Sequence, residues 1–597
     1  MVNGQWSMDG GSGAIRQPSP LQRRQPRPPP SFLIPPIHLC SMNTSAKVAP
    51  LFPLLTIFFT VFLAGCQPRT ALDDPRVFRY NESTGLLSLD PAAARSLEPI
   101  WVIDQIFDSL TQLDSVLQVQ PSLATSWRVD STGTVYTFSL RPDVMFPPTP
   151  GVPGLESGRL LVAADVQYSL ERLRDPAVAS AGSWILEPLD ASMPGGGITV
   201  RGPHEIEFRL SRPFPAFPGL LSTAYASVLP REAVEHFGPS FRRNPVGTGP
   251  FRLAWWEEDV ALVLHRNDAY WERNEAGVRL PYLEAVHIDF VRDAGAEAAG
   301  LKSGKYDFVS GLHPAYMEDF LTPDGRLAPA HAGDFRLIST PYLKTDYIGM
   351  NVDPALPANA GSPFLDARVR QALSLALDRT AIAEHLKRGT VIPTDRFTPP
   401  ALVGRSRPRP VEESREQAAQ LLAEAGYPGG DGWPPGMSLL TTAENADLCA
   451  ALQHDWAQLG IEVAVEVVPP GVHRERVSTG EAMMFRKTWL ADYADGENFL
   501  ALFVSSNAAP AGPNYARFQQ LEYDSGYRAA IAETDAGQRI EAYAALDSMV
   551  HSEMPIIPLY HDQVIHFVRH EISDWFINGV NRLDLRRVKK SRRGGNP

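Results

Sequence analysis

An apolar stretch near the start of the chain ends in a cysteine, and this stretch constrains the rest of the sequence more than any other feature. Lys47 precedes it, residues 48–62 carry no charge, and Leu63-Ala64-Gly65-Cys66 closes it. A basic flank, an apolar core and small residues before a cleavage point are typical of a secretory signal peptide. We therefore predict a signal peptide at 42–65 and a folded protein that begins after it.

The residues around the cysteine also resemble a bacterial lipobox, in which the thiol is lipidated and the chain is cut just before it. Cys66 is then the lipidation site, and residues 66–72 form a tether. The alternative is an ordinary transmembrane anchor. The run is only marginally long enough for the roughly 20 apolar residues that span a bilayer, and Pro50 and Pro53 interrupt it. We expect a lipid-anchored protein in the periplasm or at the cell surface.

Residues 1–41 are rich in Pro, Gln, Gly and Arg and have no apolar period. Such a segment cannot bury enough apolar surface to pack. We interpret it as a disordered or non-native extension and expect Met42 to be the true start of the chain.

Length and charge exclude several classes of protein. A chain of 597 residues is long enough for several lobes. Its net charge is −13, and loss of residues 1–65, which carry +4, would leave −17. This balance argues against a nucleic-acid partner, because such a partner favours a basic surface. After cleavage only Cys66 and Cys449 remain, so no disulfide framework is expected. The helical pattern around Cys449 predicts a small core residue.

Hydrophobic periodicity predicts an alternation of strands and helices without a repeat. Period-two or β-branched patterns predict strands at 77–80, 134–140, 206–210, 251–255, 261–265 and 461–467, and again within 556–572. Helical spacing predicts helices at 100–110, from Asp165 as N-cap to 173, over 368–386, at 412–425 and at 449–459. Together these patterns indicate an α/β protein of more than one lobe.

Signatures of catalysis are missing from the sequence. It has neither a Gly-x-x-x-x-Gly-Lys-Ser/Thr phosphate loop nor a Gly-x-Ser-x-Gly elbow. Gly247-Thr248-Gly249 is too short for a dinucleotide fingerprint, and Pro250 blocks the helix start that would bind a pyrophosphate. A tight turn between lobes is its predicted role. We expect no catalytic residues and no enzyme activity, although a secreted hydrolase or a signalling receptor stays an alternative.

His566 and His570 have a spacing that could place two imidazoles on one metal ion if they lay on a helix. Their β-branched and aromatic neighbours favour a strand, on which the two would lie roughly 13 Å apart. We interpret them as surface or packing residues and expect neither a metal nor a cofactor.

Several short sequence motifs are informative when they are taken together, in their order along the chain. They lie at 121–127, 136–141, 165–173, 247–250, 267–271, 366–373 with 378–379, 489–495 with 498–500, and 514–515. In this order they resemble the family 5 extracellular solute-binding proteins, the oligopeptide- and dipeptide-binding components of ABC importers. The resemblance runs from about Val77 to about Val568.

This resemblance implies the α/β fold of type II periplasmic binding proteins, in which two lobes close on a cleft and a third lobe is inserted. The first lobe would comprise 73–112, 244–335 and 546–588, the inserted lobe 113–243, and the far lobe 336–545. Residues 589–597 would form a basic, disordered tail. The last six basic residues of the chain, between 586 and 593, are expected to be solvated.

The resemblance also implies a ligand site. In peptide-binding relatives the Asp of a Trp-x-x-Asp-Tyr segment holds the ammonium group of the ligand, and here it is Asp492. Trp489 and Tyr493 would line the site, and Asp495 is a rival for the ammonium. Helix capping by Asp492 and core packing by both aromatics are the alternatives. Gly496 stands where relatives often have proline, and we expect it to loosen the loop.

On the first lobe, Ser83, Thr84 and Gly85 match a strand edge that pairs with the peptide backbone in relatives. Arg486, Lys487 and Lys344 are candidates for the ligand carboxylate by charge alone. The expected partners are a peptide, the membrane subunits of an ABC permease with their cytoplasmic ATPases, and the membrane through the lipid anchor. We expect a monomer. A nickel chelate, haem, an opine or a sugar is the alternative ligand.

Overall fold

The largest sheet of the protein contains eleven strands in the computed structural model, which describes residues 74–405 and 413–592. In spatial order its main path is Phe251–Glu257, Ala261–Arg266, Ala285–Asp289, Val77–Asn81, Phe308–Ser310, Ile556–Arg569, Phe335–Met350, Met484–Leu490, Ser438–Thr441 and Ala464–Val467, and Val391–Pro393 also pairs with Ile556–Arg569. The predicted extension, signal peptide, Cys66 and tether lie outside the described residues.

The two longest strands, Phe335–Met350 and Ile556–Arg569, are antiparallel neighbours that run through the whole sheet. Their register is interrupted between Pro341 and Thr345. Before the interruption Ile556–Arg569 pairs with Phe308–Ser310, and beyond it Phe335–Met350 pairs with Met484–Leu490. The pair therefore joins the two halves of the sheet.

Residues 113–243, hereafter the inserted segment, contain a separate four-stranded antiparallel sheet. Its order is Ala124–Val129, Val135–Leu140, Glu205–Arg209 and Ile198–Gly202. Two-stranded sheets are formed by Thr111–Leu113 with Val119–Pro121, Met145–Phe146 with Arg159–Leu160, and Ile572–Ser573 with Lys589–Lys590. Alternation of buried and half-buried residues along Glu205–Arg209 matches the period of two that the sequence shows.

Helices cover both halves of the large sheet and the inserted segment. They are Leu97–Ile106, Ala163–Arg172, Phe217–Leu220, Arg231–Phe237, Ala294–Ser303, Pro314–Phe320, Ala367–Leu375, Arg379–Ala381, Arg415–Glu424, Ala446–Ala457, Pro470–Thr479, Glu497–Leu500, Leu521–Ala532 and Ala536–Glu553. Asp293, Ser414 and Asp535 cap three of them by accepting hydrogen bonds from backbone N–H groups of the first turn. Within the described ranges, no helix is long and apolar enough to cross a membrane.

The predicted strands and helices are confirmed, with their ends shifted by a few residues. Two predictions about helices need correction. Asp165 is not the N-cap: the helix Ala163–Arg172 begins two residues earlier, and Asp165 reaches back to accept the Val162 N–H at 2.9 Å. The helix predicted over 368–386 is interrupted. Asp378 accepts the Ala381 N–H at 2.7 Å, and a new helical turn starts there.

Gly247 and Gly249 form the predicted turn, and its close packing explains both glycines. The Gly249 N–H donates to the Ile106 carbonyl at 2.9 Å. A Cβ at Gly247 would lie 2.3 Å from the same carbonyl oxygen, and one at Gly249 would lie 2.5 Å from the Ile106 carbonyl carbon. The turn therefore holds the end of the helix Leu97–Ile106 by an approach that no side chain permits.

Cys449 is fully buried in the helix Ala446–Ala457, as predicted. The predicted disordered tail is wrong for its first residues, because Lys589–Lys590 forms a strand against Ile572–Ser573. Lys590 Nζ also lies 2.8 Å from Asp307 Oδ2, and both side chains are less than a tenth exposed. Residues 593–597 lie outside the described residues.

Replacing Lys590 should destabilise the fold strongly, because Asp307 would be left as a buried charge without this cation. We expect Lys590→Met to lower the free energy of unfolding by about 3–5 kcal/mol, measured by urea denaturation. Lys589→Met is the matched control: its partner Asp574 and Lys589 itself are about half exposed, so this substitution should have a much smaller effect than Lys590→Met. Equal effects of the two substitutions would contradict this role of Lys590.

Candidate functional site

Asn498 brings two of the predicted site residues together. Trp489 lies near the end of the strand Met484–Leu490, and Asp492 follows in the loop. Asn498 Oδ1 accepts hydrogen bonds from Trp489 Nε1 at 3.0 Å and from the Asp492 backbone N–H at 3.3 Å. Its Nδ2 donates to Asp492 Oδ2 at 3.4 Å. One amide side chain therefore fixes the indole and the carboxylate relative to each other.

The Asp492 side chain is exposed to solvent, but it is recessed among other protein atoms. Desolvation by these atoms raises the pKa of Asp492, and the hydrogen bond from Asn498 opposes the shift. Its negative charge also helps to raise the pKa of Tyr225, which belongs to the inserted segment. Among the described residues, no Lys, Arg or His forms an ion pair with Asp492. The carboxylate is thus reachable by a small molecule, and no cation in the described part of the chain pairs with it.

Tyr493 and Trp184 connect the far segment (336–545) with the inserted segment. Their rings are stacked with centroids 5.9 Å apart, and Trp184 meets Tyr225 edge to face at 6.3 Å. Gly182 makes room for this contact, because a Cβ there would lie 2.2 Å from the Tyr225 ring. Tyr225 is fixed by a 3.0 Å hydrogen bond to the Ala94 carbonyl. Tyr493 is only 6% exposed and packs between the two segments.

Glu497 lies behind Tyr493 and accepts hydrogen bonds from the hydroxyl groups of Tyr493 and Tyr527. Desolvation raises the pKa of Glu497 to about 7, and the negative charge of Asp492 adds to the increase. The Tyr527 hydrogen bond and the positive charge of Arg212 act in the opposite direction. This acid therefore changes its charge near neutral pH beside the candidate site.

Asp495 forms hydrogen bonds within the protein. It accepts the Glu497 backbone N–H at 2.9 Å and hydrogen-bonds with Tyr543. The expectation that Gly496 loosens the loop is wrong, because a Cβ there would lie 2.8 Å from the Tyr543 ring and 3.0 Å from the Leu402 carbonyl oxygen. The loop is packed tightly at this point, and glycine permits that packing.

Ser83, Thr84 and Gly85 do not form the predicted strand edge. The strand Val77–Asn81 ends before them, and the chain turns because Thr84 Oγ1 donates to Glu82 Oε1 at 2.9 Å and Gly85 adopts a φ of +70°. Ser83 and Thr84 are exposed on this turn. The segment therefore offers hydroxyl groups and isolated backbone groups, and not an extended edge.

The three candidate cations differ in their partners. Arg486 forms an ion pair with the buried Asp346, and Lys344 Nζ lies 2.5 Å from Asp562 Oδ2. Lys487 is half-buried, and among the described residues no acid lies within ion-pair distance of it. Of the three, only Lys487 has a charge that no carboxylate of the described chain neutralises.

The interpretation of His566 and His570 as packing and surface residues is confirmed. His566 is buried on the strand Ile556–Arg569, where its Nε2 lies 2.8 Å from Asn581 Oδ1 and its Nδ1 accepts the Trp575 indole N–H at 3.1 Å. Burial lowers the pKa of His566 to about 4. His570 is exposed and contacts the Ala332 carbonyl at 2.9 Å.

Sequence reasoning missed Trp184, Tyr225 and Glu497, and it gave Asn498 no role. Asn498 lies in one of the segments that carry the family resemblance, 498–500. Its position six residues after Asp492 was the one signal in the sequence that could have found it. Trp184 and Tyr225 gave none, because their contacts lie about 300 residues away along the chain and depend on the tertiary structure.

The chain matches the model of a known protein family. The model for "Bacterial extracellular solute-binding proteins, family 5 Middle" matches residues 118–511. The protein belongs to this family of binding proteins.

Individual relatives cover most of the chain. The dipeptide-binding protein of Escherichia coli strain K12 is 25% identical over 491 residues, which is 79% of this chain and 86% of the relative. A probable di/tripeptide-binding protein 5 of Pseudomonas aeruginosa is 27% identical over 82% of this chain and 90% of its own.

Among solved structures, the periplasmic binding protein DppA of Helicobacter pylori in complex with the peptide STSA superposes with a TM-score of 0.68. It is 23% identical and covers 86% of this chain and 97% of its own. The predicted fold class, an α/β periplasmic-binding-protein fold of type II, is thereby confirmed.

The raised pKa of Glu497 predicts a specific dependence of stability on pH. The folded state holds this proton more tightly than the unfolded chain, for which the ordinary pKa is 4.5. Stability should therefore fall as pH rises from about 4.5 through about 7, by at most about 1.4 kcal/mol per pH unit. Glu497→Gln cannot titrate and should reduce this slope in urea titrations across that range.

Glu82 has a pKa of about 7 for the same reason of desolvation, so the variant should keep the part of the slope that Glu82 contributes. Glu235→Gln, which removes a carboxylate from an exposed ion pair with Arg231, is the control for loss of a surface charge. A Glu497→Gln curve parallel to that of the wild type would show that Glu497 does not titrate in this range.

Proposed function

We propose that the protein captures short peptides in a cleft beside Asp492 and delivers them to an ABC permease without chemical change. The observation that carries this proposal is the Asp492 carboxylate, which solvent reaches and no cation of the described residues pairs with. A recessed carboxylate with raised pKa is stabilised when a cation joins it, because the cation replaces the lost solvation. The α-ammonium group of a peptide is such a cation.

The surroundings of Asp492 support a peptide as the ligand. Asn498 holds the carboxylate beside the Trp489 indole, and an aromatic wall offers a large apolar contact to many different side chains. The relatives reported above are named for dipeptide and di/tripeptide binding, and one solved relative holds a peptide. In this proposal Tyr493 and Asp495 support the site from behind, and the turn of Ser83, Thr84 and Gly85 contributes polar contacts.

Closure of the cleft would rest on the two long strands. Their register breaks between Pro341 and Thr345, and a break in a backbone ladder is a natural position for a hinge. The first and inserted lobes would then move against the far lobe with the boundaries predicted above. Cys66, lipidated, would hold the protein near its permease and raise its local concentration there.

Loss of the charge at Asp492 should weaken peptide binding. A hydrogen bond to a charged group contributes about 1.5–3 kcal/mol, so Asp492→Asn should raise the Kd of a tripeptide about 10- to 100-fold in isothermal titration calorimetry. N-acetylation of the peptide should weaken binding to the wild type equally and have little further effect on the variant. Asp268→Asn, at an exposed ion pair with Arg266, is the control. Unchanged affinity for the acetylated peptide would exclude the ammonium contact.

Lipid anchoring has its own test. Cys66→Ser should move the protein from the membrane fraction to the soluble fraction of the producing cells and abolish labelling by a radioactive fatty acid, because the acylated thiol is lost. Cys449→Ser, in the buried core, controls for general effects of cysteine removal. Continued fatty-acid labelling of the Cys66→Ser protein would contradict the proposal.

A further inference from the structure

The strand Phe251–Glu257 is the last strand at one end of the large sheet. It pairs with Ala261–Arg266 on one side, and no strand of the described residues pairs with its other side. The unpaired side therefore presents a row of backbone N–H and C=O groups. Such an edge accepts an added strand unless the fold blocks it. The side chains of this strand decide which partner fits.

A bulge sorts the side chains of this edge strand into two faces. The register with the neighbouring strand shifts between Leu253 and Trp255, so that one extra residue stands in the bulge. Arg252, Trp255 and Glu257 share one face, because their partners on the neighbouring strand are two residues apart, and all three are exposed. Leu253 and Trp256 share the other face and pack partly against the core.

The exposed face is symmetric about Trp255. Arg252 and Glu257 lie the same distance from it along the ladder, in opposite directions, and carry opposite charges. When a second copy adds its own edge strand in antiparallel orientation, Trp255 faces Trp255 of the second copy, and each Arg252 faces a Glu257. Aromatic pairs and pairs of opposite charge across two strands both stabilise a sheet. The strand is therefore complementary to itself.

Both charges at this edge are available to a partner. Arg252 and Glu257 are exposed, and neither forms an ion pair within the described part of the chain. The next acid, Glu258, is in contrast held by Arg242 and Arg243. Charges of a single sign protect a sheet edge against a second copy by repulsion. One positive and one negative charge in this arrangement attract the copy instead.

The inner face of the strand leaves room for the side chains of an added strand. A groove of about 490 Å³ lies beside it, and its lining includes Phe237, Val246, Leu253 and Trp256. The Trp256 indole N–H is buried and has no acceptor among the described residues. Buried polar atoms are nearly always hydrogen-bonded. This face of the edge is therefore incomplete in the single chain.

We propose that the strand Phe251–Glu257 binds the same strand of a second copy of the protein, in antiparallel orientation and with the twofold axis at Trp255. The large sheet then continues from one copy into the other. This inference does not rest on the proposed function, and it departs from the monomer expected from the sequence. The candidate ligand site follows Met484–Leu490, which lies seven strands further along the sheet, so the contact lies away from Asp492.

The first test is sedimentation velocity of the complete mature chain, produced as Cys66→Ser so that it carries no lipid. Over a roughly hundredfold range of concentration, the chain with its natural edge should convert from protomer to dimer. Arg252→Glu and Glu257→Arg each place two pairs of like charges in the contact, and each should raise the Kd of the dimer about tenfold or more. Arg326→Glu, at an exposed ion pair with Asp324, is the control and should leave the Kd unchanged.

A mixture of the two charge variants separates a contact between copies from a change within one copy. One copy with Arg252→Glu and one copy with Glu257→Arg again place opposite charges in both pairs. An equal mixture should therefore form dimers at a concentration at which each variant alone stays a protomer, and the double variant should also recover the dimer. An interface elsewhere on the protein gives no recovery, and that result would overturn the proposal. A natural edge that stays a protomer throughout would overturn it as well.

A cross-link tests the position of the twofold axis. Facing residues on paired antiparallel strands have Cβ atoms about 4.5–5.5 Å apart, which a small adjustment brings within reach of a disulfide. The other cysteine of this mature chain, Cys449, is buried. Trp255→Cys should therefore give a disulfide-linked dimer on a non-reducing gel after oxidation with copper phenanthroline. Val278→Cys, at an exposed turn residue, controls for chance collisions, and equal cross-linking of the two variants would contradict the proposed pairing.

Discussion

The backbone pairing of Phe335–Met350 with Ile556–Arg569 is the interaction on which the other features depend. Where the ladder breaks after Pro341, the free backbone groups find other partners: the Leu343 N–H donates to the Gly579 carbonyl at 2.7 Å, and the Leu343 carbonyl accepts the Ala491 N–H at 2.9 Å. Because Ala491 directly precedes Asp492, the interruption in the pairing of the long strands also positions the candidate ligand carboxylate. The candidate site and the interruption of the strand pairing are thus joined by backbone hydrogen bonds.

Pairing of charges distinguishes residues that hold the fold from residues that remain available. Lys590 with Asp307, and Arg486 with Asp346, are buried pairs in which each charge offsets the desolvation of the other. Asp492 and Lys487 have no such partner among the described residues, yet both are partly desolvated.

Much of the fold could be predicted, because each strand and helix obeys a local period. The alternation around 461–467 and the helical spacing around Cys449 both identified the correct element. The predictions at Asp165 and over 368–386 were less accurate, because helix ends depend on which nearby carboxylate reaches a free N–H. The tail was misjudged, because Lys589 pairs with Asp574, and Lys590 pairs with Asp307, which is 283 residues away along the chain.

The sequence by itself determined the family, the order of the elements and the segment that carries Trp489 and Asp492, because these depend on local patterns and short motifs. Only the tertiary structure decided which charged groups are satisfied. It joined Asp495 to Tyr543, turned Ser83–Gly85 away from an extended edge, placed Trp184 on Tyr493 and left Lys487 without a paired acid among the described residues. The physical reason is that desolvation and ion pairing depend on atoms a few ångströms away in space, which the chain brings together from hundreds of residues apart.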